Sequence, residues 1–402
     1  MPVSVTRARA SLRALAVTVA AFAVLTSTGC TIVGTHPPSS PTPAASPSDQ
    51  TRIGVIAGSD PRAAEITGIV EAAIPELALQ SVVFGVWVGD DEIVRGAVDS
   101  PSAPLPTATD ALVRVGQPME AMLGTILLQL GTEGVVDLDA PVSPYVPELV
   151  NADRITPRML ANTTGGTPDY VTNADFIARV HADPFAHYTF SELLGYAQQS
   201  PPLFAPGTGW AYSHTEMAAL VQVLERASGQ SLEDLMQSRI YGPLGMTRSS
   251  AHQDSEIGQP AMHAYTNQRG VYEDSTSWDP TWGFDGGMNA PVIDLGRWLR
   301  ALNDGDLLTA ADAETSLAPV SAGLGGMSAQ RYFAYGSLVA DGWIVGNPIL
   351  NGYQGFTAQE RNPSVTIVVW SAVAPANTET SNASQTIAQR IAAIVSATPF
   401  TM

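Results

Sequence analysis

Covalent hydrolysis needs a nucleophile with a base beside it, and the composition of this chain limits both. Its 402 residues include no lysine, so every one of the 19 Lys-plus-Arg positions is arginine. Arginine stays protonated and can act as a cation but not as a base. A serine hydroxyl is a weak nucleophile until a neighbouring base takes its proton. His214 is a candidate acid–base group, and no second histidine stands at a ligand-like spacing from it, which argues against a metal site. No Gly-x-Ser-x-Gly elbow, His-Glu-x-x-His pair or Gly-rich phosphate loop occurs. Neither the chemistry nor the composition calls for a cofactor.

Three segments carry a recognisable pattern. The first is Arg114-Val115-Gly116-Gln117-Pro118-Met119-Glu120, then an apolar run, then Glu133-Gly134-Val135-Val136-Asp137-Leu138-Asp139-Ala140-Pro141-Val142 and Tyr145-Val146-Pro147-Glu148-Leu149. The second is Ile155-Thr156-Pro157-Arg158-Met159-Leu160 through Gly165-Gly166-Thr167-Pro168-Asp169-Tyr170, with Pro206-Gly207 and Tyr212-Ser213-His214 downstream and Pro243-Leu244-Gly245-Met246-Thr247 closing it. The third is Ile349-Leu350-Asn351-Gly352 before Gln354-Gly355-Phe356. Together these phrases resemble the serine β-lactamase and penicillin-binding-protein-like family, which includes class C β-lactamases, D-alanyl-D-alanine carboxypeptidases and esterases.

The frame of that family is present, but its chemistry is replaced. The resemblance puts the nucleophilic serine on Gln117 and its lysine on Glu120. A carboxamide cannot attack a carbonyl, and Glu120 reverses the charge. The family tyrosine, a base or proton relay, falls on Tyr212 and is kept. The asparagine that contacts a substrate amide falls on His214. The third motif falls on Ile349-Leu350-Asn351, where apolar Ile349 stands in place of the cation that would hold a substrate carboxylate or orient the nucleophile. The residues also have a plain structural reading. Pro118 suits the first position of a helix because its missing N–H has no partner there, and Glu120 in the first turn faces the positive end of the helix dipole.

The elements that must hold these residues follow from periodicity. Arg62 to Pro75 has helical spacing; Val82–Val88 and Ile93–Val98 form a hairpin across Gly89-Asp90-Asp91-Glu92. Further helices are expected at Glu216–Ala227 and Val292–Asn303, and an amphipathic one near the C-terminus on Ile387, Ile391, Ile394 and Val395. Tyr335-Gly336-Ser337-Leu338, Gly342–Val345 and Val365–Val373 read as strands. The expected fold class is α/β: a β-lactamase/transpeptidase-like antiparallel sheet flanked by helices, with a mostly helical second lobe.

The N-terminus reads differently from the rest. Arg7, Arg9 and Arg13 precede an apolar run from Leu15 to Leu25, and Ser27-Thr28-Gly29-Cys30 follows. This is the grammar of a signal peptide over residues 1–29. Cys30, the single cysteine, stands where a lipoprotein signal would be cut and acylated, although Ser27 replaces the usual leucine. The Pro/Ser/Thr-rich stretch that follows cannot bury a core; at ~3.1 Å per residue it could hold a domain up to ~60 Å from its anchor. The expected organisation is a tether over residues 30–60 and a domain over residues 61–402, with an α/β lobe from about 61–130 and 270–402 and a helical lobe from about 131–269.

A net charge of −19 argues strongly against nucleic acid and anionic lipid as partners of the folded domain, since both require basic patches. The expectation is therefore an exported protein on the outer face of a bacterial cell membrane, anchored through a lipid on Cys30. A non-catalytic cleft around Gln117, Glu120, Tyr212, His214, Asn351 and Gly352 would bind a peptidoglycan fragment, another small molecule or an envelope protein. The alternative is a hydrolase that activates water through Glu120, Tyr212 or His214.

Overall fold

Two largely apolar stretches of the chain lie at the centre of its sheet. The computed structural model describes residues 52–284, 287–378, 380–398 and 400. Cys30, the signal-like segment and most of the tether lie outside the described residues. Nine strands form an antiparallel sheet in the order β1 (Arg52–Ala57), β3 (Asp91–Asp99), β2 (Leu79–Val88), β13 (Val365–Val373), β12 (Tyr353–Glu360), β10 (Trp343–Gly346), β9 (Leu338–Ala340) and β8 (Arg331–Phe333), with β11 (Ile349–Leu350) paired to β12. Every residue of β12 and β13 is buried, and β2 is buried up to its last residue. Strands covered on both faces lose the apolar–polar alternation, which is why Val82–Val88 and Val365–Val373 read as largely apolar runs.

Helices supply the two covers. On one face, α1 (Arg62–Glu76) lies beside the C-terminal α11 (Ala383–Val395), where the Ser384 and Ser371 hydroxyls meet at 2.9 Å. On the other face, the Trp87 ring packs against Gly296 of α9 (Val292–Asp304). Between the sheet and the middle of the chain runs α2 (Pro118–Thr132), whose residues are mostly apolar and almost all buried; such a helix belongs in an interior.

The middle segment is helical. It comprises α3 (Pro157–Ala161), α4 (Ala174–Ala182), α5 (Phe190–Ala197), α6 (His214–Ser228), α7 (Leu232–Met236) and α8 (Gly242–Leu244). A separate small core of Tyr170, Phe176, Val180, Tyr188, Leu193 and Ala197 sits among them. The phrase around Arg158 acts structurally. Thr156 caps α3 by accepting from the Met159 N–H at 3.3 Å, and Arg158 donates to both Asp139 oxygens at 2.8 and 3.0 Å. Two short ladders, β4 (Leu112–Arg114) with β7 (Asn289–Pro291) and β5 (Tyr265–Thr266) with β6 (Glu273–Asp274), tie the segments around the helices to the sheet lobe. The remaining helix, α10 (Ala310–Ser316), packs on α2.

Two expectations need correction here. The sheet begins at Arg52, inside the stretch read as tether, because Val55 and Ile56 with their neighbours can pair along the outer side of β3. Tyr335–Ser337 is a turn, not a strand. Gly336 has φ +71° there, and a side chain at that position would run into the Glu120 backbone of α2. The chain must therefore bend where α2 presses on it. Among the described residues no helix is long and apolar enough to cross a membrane.

Candidate functional site

The N-terminus of α2 points into a cleft. Gln117 is the N-cap and Pro118 the first helical residue, and no side chain caps the helix. The Gln117 side chain reaches across instead, and its Oε1 accepts from the Asn347 backbone N–H at 2.9 Å. One turn along, Glu120 is completely buried and accepts a short hydrogen bond from the Tyr212 hydroxyl. The acidic side chain at position 120 is thus joined directly to Tyr212.

The facing wall is the start of α6. His214 is its first residue, and its Nδ1 lies 2.9 Å from Asp169 Oδ2, while its ring meets Tyr212 edge-on with centroids 4.9 Å apart. The loop carrying Asp169 is fastened to the same helix. Ser213 caps α6 by accepting from the Glu216 N–H at 3.3 Å. Glu216, fully buried at the third helical position, accepts from the Gly165 N–H at 3.0 Å and the Thr167 N–H at 2.7 Å. Burial pushes its carboxyl up to about 8, against the pull of those two donors. Thr215 adds two more ties, accepting from the Tyr170 N–H at 3.1 Å and donating to the Pro168 carbonyl at 2.8 Å. The loop therefore has little freedom, and Asp169 is held against the imidazole.

The space between these walls is a cavity of about 370 Å³, within the range of small-molecule sites. Its lining is mainly apolar and aromatic: Trp210, Tyr212, Trp282, Phe333, Leu338, Ile349 and Leu350, with Gln117, His214, Asn347 and Arg331 as polar members. The structure thus brings Gln117, Tyr212 and His214 to one cleft, with Glu120 buried behind Tyr212 rather than on its surface. Asn351 and Gly352 do not line it. They form the turn between β11 and β12, with φ +41° and +90°, as an Asn-Gly hairpin turn demands. Gly352 lies close under the Tyr265 backbone, and the Asn351 carbonyl accepts from Ser275.

The residue whose backbone N–H faces position 117 is Asn347, two positions before the segment assigned to the third motif. Trp210, Trp282, Phe333 and Arg331 were also missed. Trp210 stands two residues before Tyr212 and could have been found from that spacing, but Arg331 begins a three-residue edge strand with no local pattern. Among the described residues, no group of three or more His, Cys, Asp or Glu side chains could hold a metal ion.

Comparison with known proteins bears on the fold. The model of the beta-lactamase family matches residues 66–390. A Bacillus subtilis penicillin-binding protein is 27% identical over 241 residues, covering 60% of this chain and 58% of that protein. Esterase EstB of Burkholderia gladioli is 28% identical over 197 residues, covering 46% of this chain and 50% of that protein. The chain thus spans about half the length of the curated relatives it matches. A D-stereospecific amidohydrolase from Streptomyces superposes with a TM-score of 0.71 at 23% identity, over 82% of this chain and 98% of that one, which establishes likeness of fold.

Proposed function

The chain belongs to the beta-lactamase family, and we propose that its cleft has exchanged covalent catalysis for non-covalent binding of a small molecule. The observation that carries this reading is the hydrogen bond from the Asn347 N–H to Gln117 Oε1. Acyl transfer needs backbone donors beside the nucleophile to receive the developing oxyanion. Here the protein's own carboxamide takes that donor, and the same residue replaces the nucleophile. Glu120 holds Tyr212 through a carboxylate, so no amine is present to activate a hydroxyl. The cavity remains open and mixed in character, as a binding site requires.

In this reading the protein is exported, anchored through a lipid on Cys30, and presents the cleft outside the cell membrane to peptidoglycan fragments or other small molecules. The test is intact mass after incubation with a penicillin. No acyl adduct is expected on the wild type, and none on Gln117→Ser, whose hydroxyl would lack a base. A stoichiometric adduct on any serine of the wild-type chain would sink the reading. The native protein's mass tests the anchor: a mature form that starts elsewhere, or lacks acyl mass on Cys30, rejects it.

The Asp169–His214 pair favours a second reading, in which the imidazole activates water against an ester held in the cleft. Turnover of a p-nitrophenyl ester that is abolished in His214→Gln would support it; background rates in both proteins would dismiss it.

A further inference from the structure

We infer that the ligand of this cleft is a lipophilic monocarboxylate, its body among the aromatic walls and its carboxylate on Arg331. This rests on the binding reading above and names the chemistry of that ligand. Among the described residues that line the cavity, Arg331 carries the one permanent charge. Arg331 is solvent-exposed, and the cavity lining includes no Asp or Glu side chain to compete for it, although the chain carries a net charge of −19. Its backbone is fixed: the Arg331 N–H donates to Ser328 Oγ at 3.1 Å, its carbonyl accepts from the Ser328 N–H at 2.7 Å, and β8 pairs it opposite Ala340. A planar guanidinium that offers parallel donors matches a carboxylate.

The opposite end of the ligand must be apolar. Phe333, two residues along the same strand, lies with ring centroids 6.0 Å from both Trp210 and Tyr212. Two carboxyl groups behind the cleft walls are already engaged. Glu120 is buried behind Tyr212 and bonded to it, and Asp169 is bonded to His214; neither lines the cavity. A peptide fits less well. The Asn347 N–H that could receive its carbonyl is already occupied by Gln117. An acid with a hydrocarbon or aryl body needs no such donor.

The experiment measures binding of 4-phenylbutyrate, 4-phenylbutyramide and N-acetyl-D-alanyl-D-alanine to the full chain by titration calorimetry, with wild type and Arg331→Gln side by side. The wild type is expected to bind the acid at least 10-fold more tightly than the amide and than the dipeptide. Arg331→Gln should weaken the acid by at least 10-fold and leave the amide unchanged. Equal binding of acid and amide by the wild type, or an acid affinity unaltered in Arg331→Gln, overturns the role of Arg331 while leaving a binding cleft in place. A dipeptide that binds as tightly as the acid overturns the preference for a non-peptide ligand. If neither acid nor amide binds the wild type, the proposal falls together with the binding reading.

Discussion

Two helices present their N-termini to the cleft and use their first turns differently. At the start of α6, Ser213 caps the helix in the ordinary way, and Glu216 turns inward to accept two backbone N–H groups of the Gly165–Thr167 loop. At the start of α2 no side chain caps the helix. Gln117 crosses the cleft to Asn347, and Glu120 holds Tyr212. The first turn of α6 builds the wall, whereas the first turn of α2 faces what the cleft contains. The α6 turn takes two backbone N–H groups of one loop, whereas the α2 turn takes a single one, from Asn347 across the cleft.

Breaking the α6 side should cost most. Glu216→Ala leaves the Gly165 and Thr167 N–H groups buried without their acceptor, a loss of about 3 kcal/mol in denaturant unfolding. The same residue gives a pH signature. Its folded value of about 8 lies above the ordinary 4.5, so the folded state holds the proton more tightly than the unfolded chain. The stability this contributes is present below pH 4.5 and is lost as pH rises toward about 8. Glu216→Gln, which cannot ionise, should flatten that slope; an unchanged slope would show that another group sets it.

On the α2 side the effects should be smaller. Tyr212→Phe removes a donor from the buried Glu120 carboxylate and should cost about 2 kcal/mol. Gln117→Ala loses one hydrogen bond at an accessible cleft and should cost about 1 kcal/mol. If Gln117→Ala proves as damaging as Glu216→Ala, the distinction between wall and contents fails.

The fold was legible wherever one signal dominated. Val365–Val373 is the observed strand, α2 begins at Pro118 as its grammar requires, and α9 begins at Val292. The errors fall where tertiary contact decided. Nothing local announces that Gly336 must turn away from α2, and strand β1 is defined by its partner rather than by its own composition. In the site, Gln117, Tyr212 and His214 converge as expected because each sits in a phrase with fixed spacing to a helix start. Asn351-Gly352 was misassigned because the Gln354-Gly355-Phe356 anchor sets a distance along the chain, whereas the hairpin turn consumes two of those residues. Arg331 was invisible because its place in the cleft depends on a strand at the far end of the sheet order.

Gln117 and Glu120 stand one turn apart at the start of α2, so a change at either position is felt at the other. A serine at 117 alone would face a buried carboxylate already engaged by Tyr212, with no amine beside it. A lysine at 120 alone would bury an ammonium at the dipole's positive end, where it is disfavoured, with a carboxamide as its neighbour. In each single change one member of the pair is left without a matched neighbour, so positions 117 and 120 are coupled, and substitutions there are expected to be non-additive.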